Sequence, residues 1–302
     1  MGQAMSVKLL ALATLLPLAG AQTASIVPPR SAPLHPWVSE CKDWDEWDKS
    51  GPPFKVYGNT WYVGTCGISA LLVTGPRGHV LIDSGTDAGA EAVLANVARA
   101  GFKPRDIKVL LSSHEHFDHV GGMARLQQAT GAKVLASPVA ASVLRTGKDS
   151  AEDPQAGMHK PMRPVAKVSL LRNGQAVRVG PLALTPVFTP GHTPGATSWR
   201  WQSCEGADCK TIVYADSLSP VSRDDYRFSD HPAYLAAFQR SADRIEAIGC
   251  DILIAPHPSA SSMRALLQGG GLASVGSRPC EAHARTVRAN LMLRLIKEKQ
   301  PR

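Results

Sequence analysis

The sequence predicts an α/β fold in which two mixed β-sheets pack face to face and helices cover their outer faces. A block of short β-type segments at 54–82 is followed by alternating helical and strand patterns, and the same order returns between 176 and 299. Polar clusters also follow directly after apolar strand-like runs, which is where such scaffolds carry chemistry. No repeated sequence word accompanies the two halves, so their equivalence is inferred from pattern alone.

In the first half, apolar runs and alternation between turn residues predict strands, and helical spacing predicts helices. The strands are expected at 54–57, 60–63, 67–73, 79–82, 108–111 and 133–136, and the helices at 87–100, 119–130 and 138–144. Gly101 supplies a stop for the first helix. The stretch 146–166 holds three prolines without periodicity, and a loop of that length usually has a function.

In the second half, strands are expected at 176–179, 182–187, 197–201, 211–215 and 252–255, and helices at 232–248 and about 280–299. Residues 22–50 are rich in proline, serine and acidic side chains, which predicts an irregular arm with a short helical piece around Trp44 and Trp47. We expect these tryptophans to anchor packing rather than to contact a ligand.

Length and composition favour one large domain. The 302 residues are 44% hydrophobic, enough for one domain over 22–302 with two halves at about 54–180 and 181–302. The net charge is +8, but Lys and Arg are scattered and no nucleic-acid motif accompanies them, so we expect no nucleic-acid partner. No additional apolar stripe is evident, which favours a monomer.

The first 21 residues have the pattern of a cleaved export signal. Lys8 precedes an apolar run at 9–18, and Ala19-Gly20-Ala21 offers a small-residue cleavage site. Met5 is an alternative start. The run is too short to span a bilayer and Pro17 interrupts it, although a membrane-anchored N-terminus stays an alternative. We therefore expect a periplasmic protein with no membrane partner.

An even number of cysteines fits an exported chain, because disulfides form in oxidising compartments. Six cysteines allow 15 pairings. Order and proximity favour three local bonds, namely Cys41–Cys66, Cys204–Cys209 and Cys250–Cys280. A four-cysteine structural zinc site would need close C-x-x-C pairs, which the sequence lacks.

The densest chemistry lies at 114–119, directly after the strand predicted at 108–111. The pattern H-x-H-x-D-H places three imidazoles and the Asp118 carboxylate within six residues. Nitrogen and oxygen donors at this density suit zinc or a similar divalent metal. Two more histidines follow predicted strands, His192 in a Pro/Gly-rich loop and His257 between two prolines. Their equivalent positions indicate that they complete a metal site.

Together these motifs resemble the metallo-β-lactamase superfamily. The resemblance runs from about residue 54 to 260 and rests on H-x-H-x-D-H at 114–119, Gly191-His192, Ala215-Asp216-Ser217 and Pro256-His257, with Asp83 upstream. Within the superfamily the chain looks most like the subclass B3 metallo-β-lactamases, because it has His119 and carries Ser217 where a cysteine ligand would stand.

The resemblance implies an αββα fold and a two-zinc hydrolase that opens the β-lactam amide bond of antibiotics with a metal-bound hydroxide, giving antibiotic resistance. It assigns His114, His116 and His192 to the first zinc, and Asp118, His119 and His257 to the second. Asp118 would also orient the attacking hydroxide.

Further residues are expected to support this site. Ser217, Ser219 and Gln155 are predicted to bind the small-molecule substrate, since their side chains can donate hydrogen bonds. Asp83 is expected to support the ligand loops rather than bind metal. Glu115 departs from the small residue common at its position, and we expect it to point away from the metals. His159 and His231 lack a motif and are read as surface residues.

Two other functions stay open. The chain could be another exported hydrolase of the superfamily, such as a lactonase, a nuclease or a thioesterase of the glyoxalase II type, in which an aspartate bridges the metals. The orientation of Asp216 and Ser217 separates a lactamase from these hydrolases. Neighbouring residues that leave a strand face opposite ways, so only one of the two side chains can face the metals. The second alternative is a non-catalytic zinc-binding protein, although no ligand is missing.

Overall fold

Two β-sheets form the centre of the structure, a computed structural model that describes residues 1–2, 34–273 and 278–300. The rest of the predicted export signal lies outside these residues. The first sheet has seven strands in the order of the chain; the first four are antiparallel neighbours, and the last four run parallel. They are β1 (Phe54–Tyr57), β2 (Thr60–Tyr62), β3 (Leu71–Val73), β4 (His79–Ile82), β5 (Ile107–Leu111), β6 (Lys133–Ala136) and β7 (Val168–Leu170).

The second sheet has five strands in the order β12-β11-β10-β9-β8. Only β11 and β12 are parallel, and the other neighbours are antiparallel. The strands are β8 (Val177–Val179), β9 (Leu182–Phe188), β10 (Thr197–Glu205), β11 (Asp208–Tyr214) and β12 (Ile252–Ile254). Both sheets are therefore mixed, since each contains parallel and antiparallel neighbours, as the sequence predicts.

Helices lie before, between and after the strands. Eight are α-helical, within the described residues, and three further single turns are 3₁₀ helices at Pro104–Asp106, Phe228–Asp230 and Pro258–Ser261. The α-helices are α1 (Pro36–Glu40), α2 (Gly89–Arg99), α3 (Phe117–Val120), α4 (Met123–Thr130), α5 (Pro138–Thr146), α6 (Pro232–Ile248), α7 (Met263–Gln268) and α8 (Pro279–Glu298).

Strand alternation explains the layers. In β4, Val80 and Ile82 enter the core between the two sheets, whereas Leu81 packs with α2, α4 and α5 on the outer face. In β11, Tyr214 faces the central core and Val213 packs with α6 and α8. Burying one such apolar side chain contributes about 1.5–3 kcal/mol. The predicted sandwich of two sheets with helices outside is confirmed.

The prediction of one helix at 119–130 is wrong. The chain forms α3 and α4, separated by Gly121 and Gly122. A Cβ at Gly122 would lie 2.5 Å from the Cβ of Ala90 in α2, so a glycine is needed where the two helices approach. The break allows α3 to end the metal-ligand motif before α4 begins to cover the sheet.

The N-terminal arm also differs from the prediction. Its helix is α1 at Pro36–Glu40, and Trp44 and Trp47 lie in turns. Trp44 is 85% exposed and anchors no packing, whereas Trp37 is fully buried in the central core. The short strand β7 and the helix α7 were not predicted, because three apolar positions or one amphipathic turn give too weak a periodic signal.

Three disulfides join Cys41 to Cys66, Cys204 to Cys209 and Cys250 to Cys280, the pairs that the sequence favours. The first fastens the N-terminal arm to the loop after β2, and the second closes the β10–β11 hairpin. In the described part of the chain, none of the helices combines the length and apolar character needed to span a lipid bilayer.

The last turn of α8 holds a loop of the second half. Glu298 accepts hydrogen bonds from the backbone N–H groups of Phe228 and Ser229 and pairs with Arg294 at 2.7 Å. Burial raises the pKa of Glu298, but Arg294 and these N–H groups outweigh it and lower the pKa below its ordinary 4.5. Residues 228–229 follow the Ser217–Ser219 segment, so α8 anchors the loop that carries it.

On its outer side α8 leaves three apolar side chains exposed, Met292, Leu293 and Ile296. The expectation that no additional apolar stripe exists is therefore wrong. It considered only the face of α8 that carries Val287, Leu291 and Leu295, which packs against the protein. The argument for a monomer loses this support.

Candidate metal centre

The predicted ligands lie at one edge of the sandwich because they follow strands whose carboxyl ends meet there. β4 and β5 run parallel and end at Asp83 and the 112–119 loop, and β11 and β12 run parallel and end at Asp216 and His257. His192 follows β9 of the second sheet. Parallel neighbours place their carboxyl ends on the same side, so both halves deliver polar residues to one place.

Buried hydrogen bonds fix the two halves against each other at this edge. Trp199 Nε1 donates to Ser112 O at 2.9 Å, and Thr197 N donates to Ser113 O at 2.7 Å. Tyr214 Oη donates to Asp83 Oδ2 at 2.8 Å. Since these groups are fully or nearly fully buried, breaking any of them would leave a polar group without a partner, at a cost of about 1–3 kcal/mol.

The first predicted ligand set is gathered in the structure. His114, His116 and His192 each bring one ring nitrogen within 4.8 Å of the others. Their remaining nitrogens are occupied: His114 Nδ1 lies 3.0 Å from both Ser113 Oγ and Asp216 Oδ1, His116 Nε2 lies 3.0 Å from Asp153 Oδ2, and His192 Nδ1 lies 3.0 Å from the Ser219 carbonyl.

A protein acceptor on one nitrogen leaves the other free to bind metal and fixes the ring. His114 Nε2 is buried and, within the described residues, has no hydrogen-bond partner. An orphaned buried nitrogen aimed at two other imidazoles fits a metal ion.

The second predicted set lies beside the first. Asp118 Oδ2 is 3.0 Å from His119 Nε2 and 3.4 Å from His257 Nε2, and the two imidazole nitrogens are 3.3 Å apart. His119 Nδ1 is buried without a hydrogen-bond partner among the described residues, and Asp83 Oδ2 lies behind it at 3.4 Å. Asp83 therefore supports the ligand loops, as predicted, and is not among the converging donors.

The electrostatics of the two sets differ. Burial lowers the pKa of His192 to about 3 and that of His114 well below its ordinary value, so both rings are neutral and able to donate a lone pair at neutral pH. Burial also lowers the pKa of His119, but Asp118 and Asp83 outweigh it and raise the pKa to about 10. A positive charge is thus stabilised where the second set converges.

The structure answers the question about Asp216 and Ser217. Asp216 is fully buried, contacts His114 Nδ1, and accepts a hydrogen bond from Leu218 N. Asp216 Oδ1 lies close to a ligand ring, and Asp216 is not part of either group of converging donor atoms found within the described residues. Ser217 is buried, and its hydroxyl has no partner among the described residues.

The other predicted substrate-binding residues lie in two loops next to the site. Gln155 is buried in the 147–167 loop, and its side-chain amide nitrogen has no partner among the described residues. Ser219 Oγ contacts His192 Nδ1 at 3.0 Å, and its carbonyl contacts the same nitrogen. Arg223 N donates to Pro154 O, which joins the loop of Gln155 to the loop of Ser219.

Sequence reasoning missed several residues at the site. Asp153, the acceptor for His116, lies in the long loop with no motif around it. His159 is half-buried, with its ring centre 5.5 Å from that of His116, so its assignment to the surface is wrong. Trp47 lies 5.4 Å from Phe117 and 6.2 Å from His257, ring centre to ring centre, and borders the site. His231 is exposed, as predicted.

Glu115 points away from the converging donors. Its side chain is buried and accepts hydrogen bonds from Thr193 Oγ1 at 2.7 Å and Gly195 N at 2.8 Å. Burial raises the pKa of Glu115 to about 7, against the opposing effect of the Thr193 hydrogen bond. The expected orientation away from the metals agrees with these contacts.

An αββα sandwich with two clusters of imidazole and carboxylate donors at one edge defines a class of metal-binding proteins, and the sequence comparison gives the same class. Residues 63–257 match the family model of the metallo-beta-lactamase superfamily. The chain belongs to this superfamily.

Among solved structures, the chain is similar to metallo-β-lactamases, including one of subclass B3. The MIM-2 metallo-β-lactamase is 53% identical, with a TM-score of 0.82 over 87% of this chain and 97% of that chain. MEM-A1, a subclass B3 metallo-β-lactamase from a soil metagenome library, is 40% identical, with a TM-score of 0.79 over 84% of this chain and 98% of that chain. The resemblance to subclass B3 is confirmed.

Curated relatives are more distant. A hydroxyacylglutathione hydrolase of Rhodopseudomonas palustris (strain BisB18) is 31% identical over 145 residues, 46% of this chain and 46% of that protein. The chain spans less than half the length of the first curated relatives it matches.

Proposed function

We propose that this chain is a zinc-dependent β-lactamase that hydrolyses the β-lactam amide bond. The observation that carries the proposal is the convergence of six side chains in two adjacent sets, in which the three imidazoles of the first set each have a protein acceptor 3.0 Å behind them. His114, His116 and His192 would hold the first zinc, and Asp118, His119 and His257 the second. Three protein ligands per ion leave coordination positions open for water and substrate, as in catalytic zinc sites.

When bound, two such ions would lower the pKa of a water molecule towards about 7 and polarise the substrate carbonyl. The chain's own residues do the positioning. Asp118 is the one carboxylate in the donor sets, and beyond binding zinc it would accept a hydrogen bond that orients the attacking oxygen. Asp83, Asp153 and Asp216 keep the imidazoles of the ligands in fixed orientations.

Substrate recognition would use the free donors beside the site. β-Lactams carry a carboxylate, and the Ser217 hydroxyl and the Gln155 amide are buried donors that lack a protein partner among the described residues. Ser219 would also take part, because the Ser219 carbonyl can keep His192 in place while the hydroxyl turns to the substrate. Trp47 and Phe117 offer apolar surface for the side groups of the antibiotic.

A thioesterase is the competing function, since hydroxyacylglutathione hydrolases are among the relatives. In that reaction class an aspartate from the 216–217 segment would bridge the metals. Here the Asp216 carboxylate is engaged by His114 Nδ1 and Leu218 N, which favours the lactamase.

The test is hydrolysis of a chromogenic cephalosporin by the purified chain, compared with a glutathione thioester and a homoserine lactone. We expect cephalosporin turnover that a chelator abolishes and added zinc restores. Zinc bound at a ratio of two per chain should accompany full activity. Faster turnover of the thioester or the lactone would overturn the lactamase assignment, and bound zinc without turnover of any of the three would indicate a non-catalytic protein.

The biological setting is proposed as well. Three disulfides fit a chain that folds in an oxidising compartment, and we propose export to the periplasm with cleavage near Ala21. A bacterium that expresses the full chain should then tolerate higher β-lactam concentrations, and the mature protein should appear in the periplasmic fraction. We propose that it acts as a monomer, which sedimentation of the purified protein tests.

A further inference from the structure

Glu115 is a buried carboxylate that the reaction described above does not use. It joins two loops that are far apart in sequence, because its partners Thr193 and Gly195 lie 78 and 80 positions further along the chain. One carboxylate oxygen accepts from the Thr193 hydroxyl and the other from the Gly195 backbone N–H. The whole side chain is only 1% exposed, so water does not compete for these bonds.

The two joined loops carry the complete first donor set. His114 and His116 are the immediate neighbours of Glu115, and His192 is the immediate neighbour of Thr193. A displacement of one loop against the other would move His192 relative to the other two imidazoles. In the described part of the chain, the hydrogen bonds between the two segments of the second set come from its own members: Asp118 and His119 lie in α3, and His257 follows β12.

The fit around Glu115 leaves no room for a looser arrangement. A Cβ at Gly195 would lie 2.7 Å from both carboxylate oxygens of Glu115 and 2.6 Å from the backbone nitrogen of Ala140 in α5. Gly195 O also accepts a hydrogen bond from Ser137 Oγ at the start of α5. The His192 loop is therefore held between the Glu115 carboxylate and the first turn of α5.

We propose that Glu115 is a positioning residue that sets His192 against His114 and His116 and thereby tunes metal affinity at the first set. This rests on the metal assignment of the proposed function. Supporting groups behind metal ligands change metal affinity by about 10–100-fold when they are removed. The effect is confined to the first set, since Glu115 touches neither Asp118, His119 nor His257 among its described hydrogen bonds.

The experiment measures metal binding directly, with Zn²⁺ in competition with a chromophoric chelator and with the absorption spectrum of the Co²⁺-substituted protein. Glu115→Ala should weaken binding of one ion by about 10–100-fold and leave the other unchanged. Glu115→Gln should restore most of the affinity, because a carboxamide can still accept from Gly195 N and donate to the Thr193 hydroxyl. Thr193→Val, which removes one of the two bonds, should give an intermediate loss.

The matched control is Asn96→Ala in α2. Asn96 is also fully buried. Its side-chain amide donates hydrogen bonds to the carbonyls of Gly51, Val63 and Gly64, and none of these residues is a predicted metal ligand. It should lower thermal stability and leave both metal affinities unchanged. The positioning role of Glu115 would be overturned if Glu115→Ala lowered the affinity for both ions equally. It would also be overturned if the affinity for the first ion were unchanged in both Glu115→Ala and Thr193→Val.

The same measurement separates this proposal from the proposed function. Failure of the wild-type chain to bind two ions would refute the metal assignment itself, whereas two tightly bound ions with no effect of Glu115→Ala refute only the role of Glu115. If the alanine variant does not fold, Thr193→Val decides, since it keeps the shape of the buried side chain and should still weaken binding of one ion only; unchanged binding of both ions would overturn the role of Glu115.

Discussion

Replacing Asp83 with asparagine tests whether the protein acceptors behind the ligands control the metal site. Asp83 is fully buried and adopts a positive φ of 64° at the end of β4. Its carboxylate accepts from Ser113 N at 2.6 Å, Ser113 Oγ at 2.8 Å and Tyr214 Oη at 2.8 Å, and lies 3.4 Å from His119 Nδ1. Asp83→Asn keeps the shape of the side chain and removes its charge.

The size of the effect on stability depends on how each hydrogen-bond partner of Asp83 can adapt to the amide. The amide oxygen can still accept from Ser113 N, and the two hydroxyls can rotate to accept from the new NH₂ group, so three charge-assisted bonds become neutral ones. That change should lower the free energy of unfolding by about 2–4 kcal/mol. His119 has less freedom, because moving its proton away from the NH₂ group would place it on Nε2, the nitrogen that faces Asp118 and His257.

We therefore expect Asp83→Asn to weaken binding at the second set by about 10–100-fold and to leave the first set unchanged. Chelator competition measures the affinities, and urea unfolding of the metal-free protein measures the stability. Tyr214→Phe is the control, since it removes one hydrogen bond to Asp83 without touching His119. Wild-type affinity for both ions in Asp83→Asn would refute the reasoning.

Three further outcomes follow from contacts at and beyond the site. His257→Ala should remove one bound ion and lower cephalosporin turnover by orders of magnitude, whereas the exposed His231→Ala should match wild type in both assays; near-normal turnover would refute the role of His257. Asp153→Asn should weaken the first ion about 10-fold, because His116 Nε2 loses its charged acceptor, as metal titration will show. Glu298→Gln should lower the free energy of unfolding by about 1–2 kcal/mol at pH 7. The folded pKa of Glu298 is lowered, so this difference is present above about pH 4.5 and disappears as the pH falls through the folded pKa; a difference that persists at the lowest pH would contradict the assignment.

The fold and the gathering of the candidate metal ligands could be predicted because both leave regular patterns in the sequence. β-type runs and helical spacing predict most elements, and the H-x-H-x-D-H motif is local, so its residues need no tertiary information to be grouped. His192 and His257 could be added because each directly follows a predicted strand. The Cys204–Cys209 bond likewise joins residues that are close along the chain.

Residues that act through tertiary contacts could not be found in this way. Asp153 lies in a long loop without periodicity, and its bond to His116 depends on how that loop folds back. Trp47 contacts Phe117 in an arm that the Cys41–Cys66 bond and a hydrogen bond from Thr65 Oγ1 to Trp47 O fasten to the loop after β2. Trp44, three residues earlier, is exposed, and nothing in the local sequence separates the two.

The second donor set draws on residues that lie 138 positions apart, His119 in the first half and His257 in the second. A nascent chain cannot assemble it until residue 257 has been made and the two sheets have docked. If this set holds a metal and the chain is exported, as proposed, the ion would therefore be chosen late, from the metals that surround the chain where folding finishes rather than where synthesis begins. Two hosts with different metal supplies at that location could load the same polypeptide with different ions.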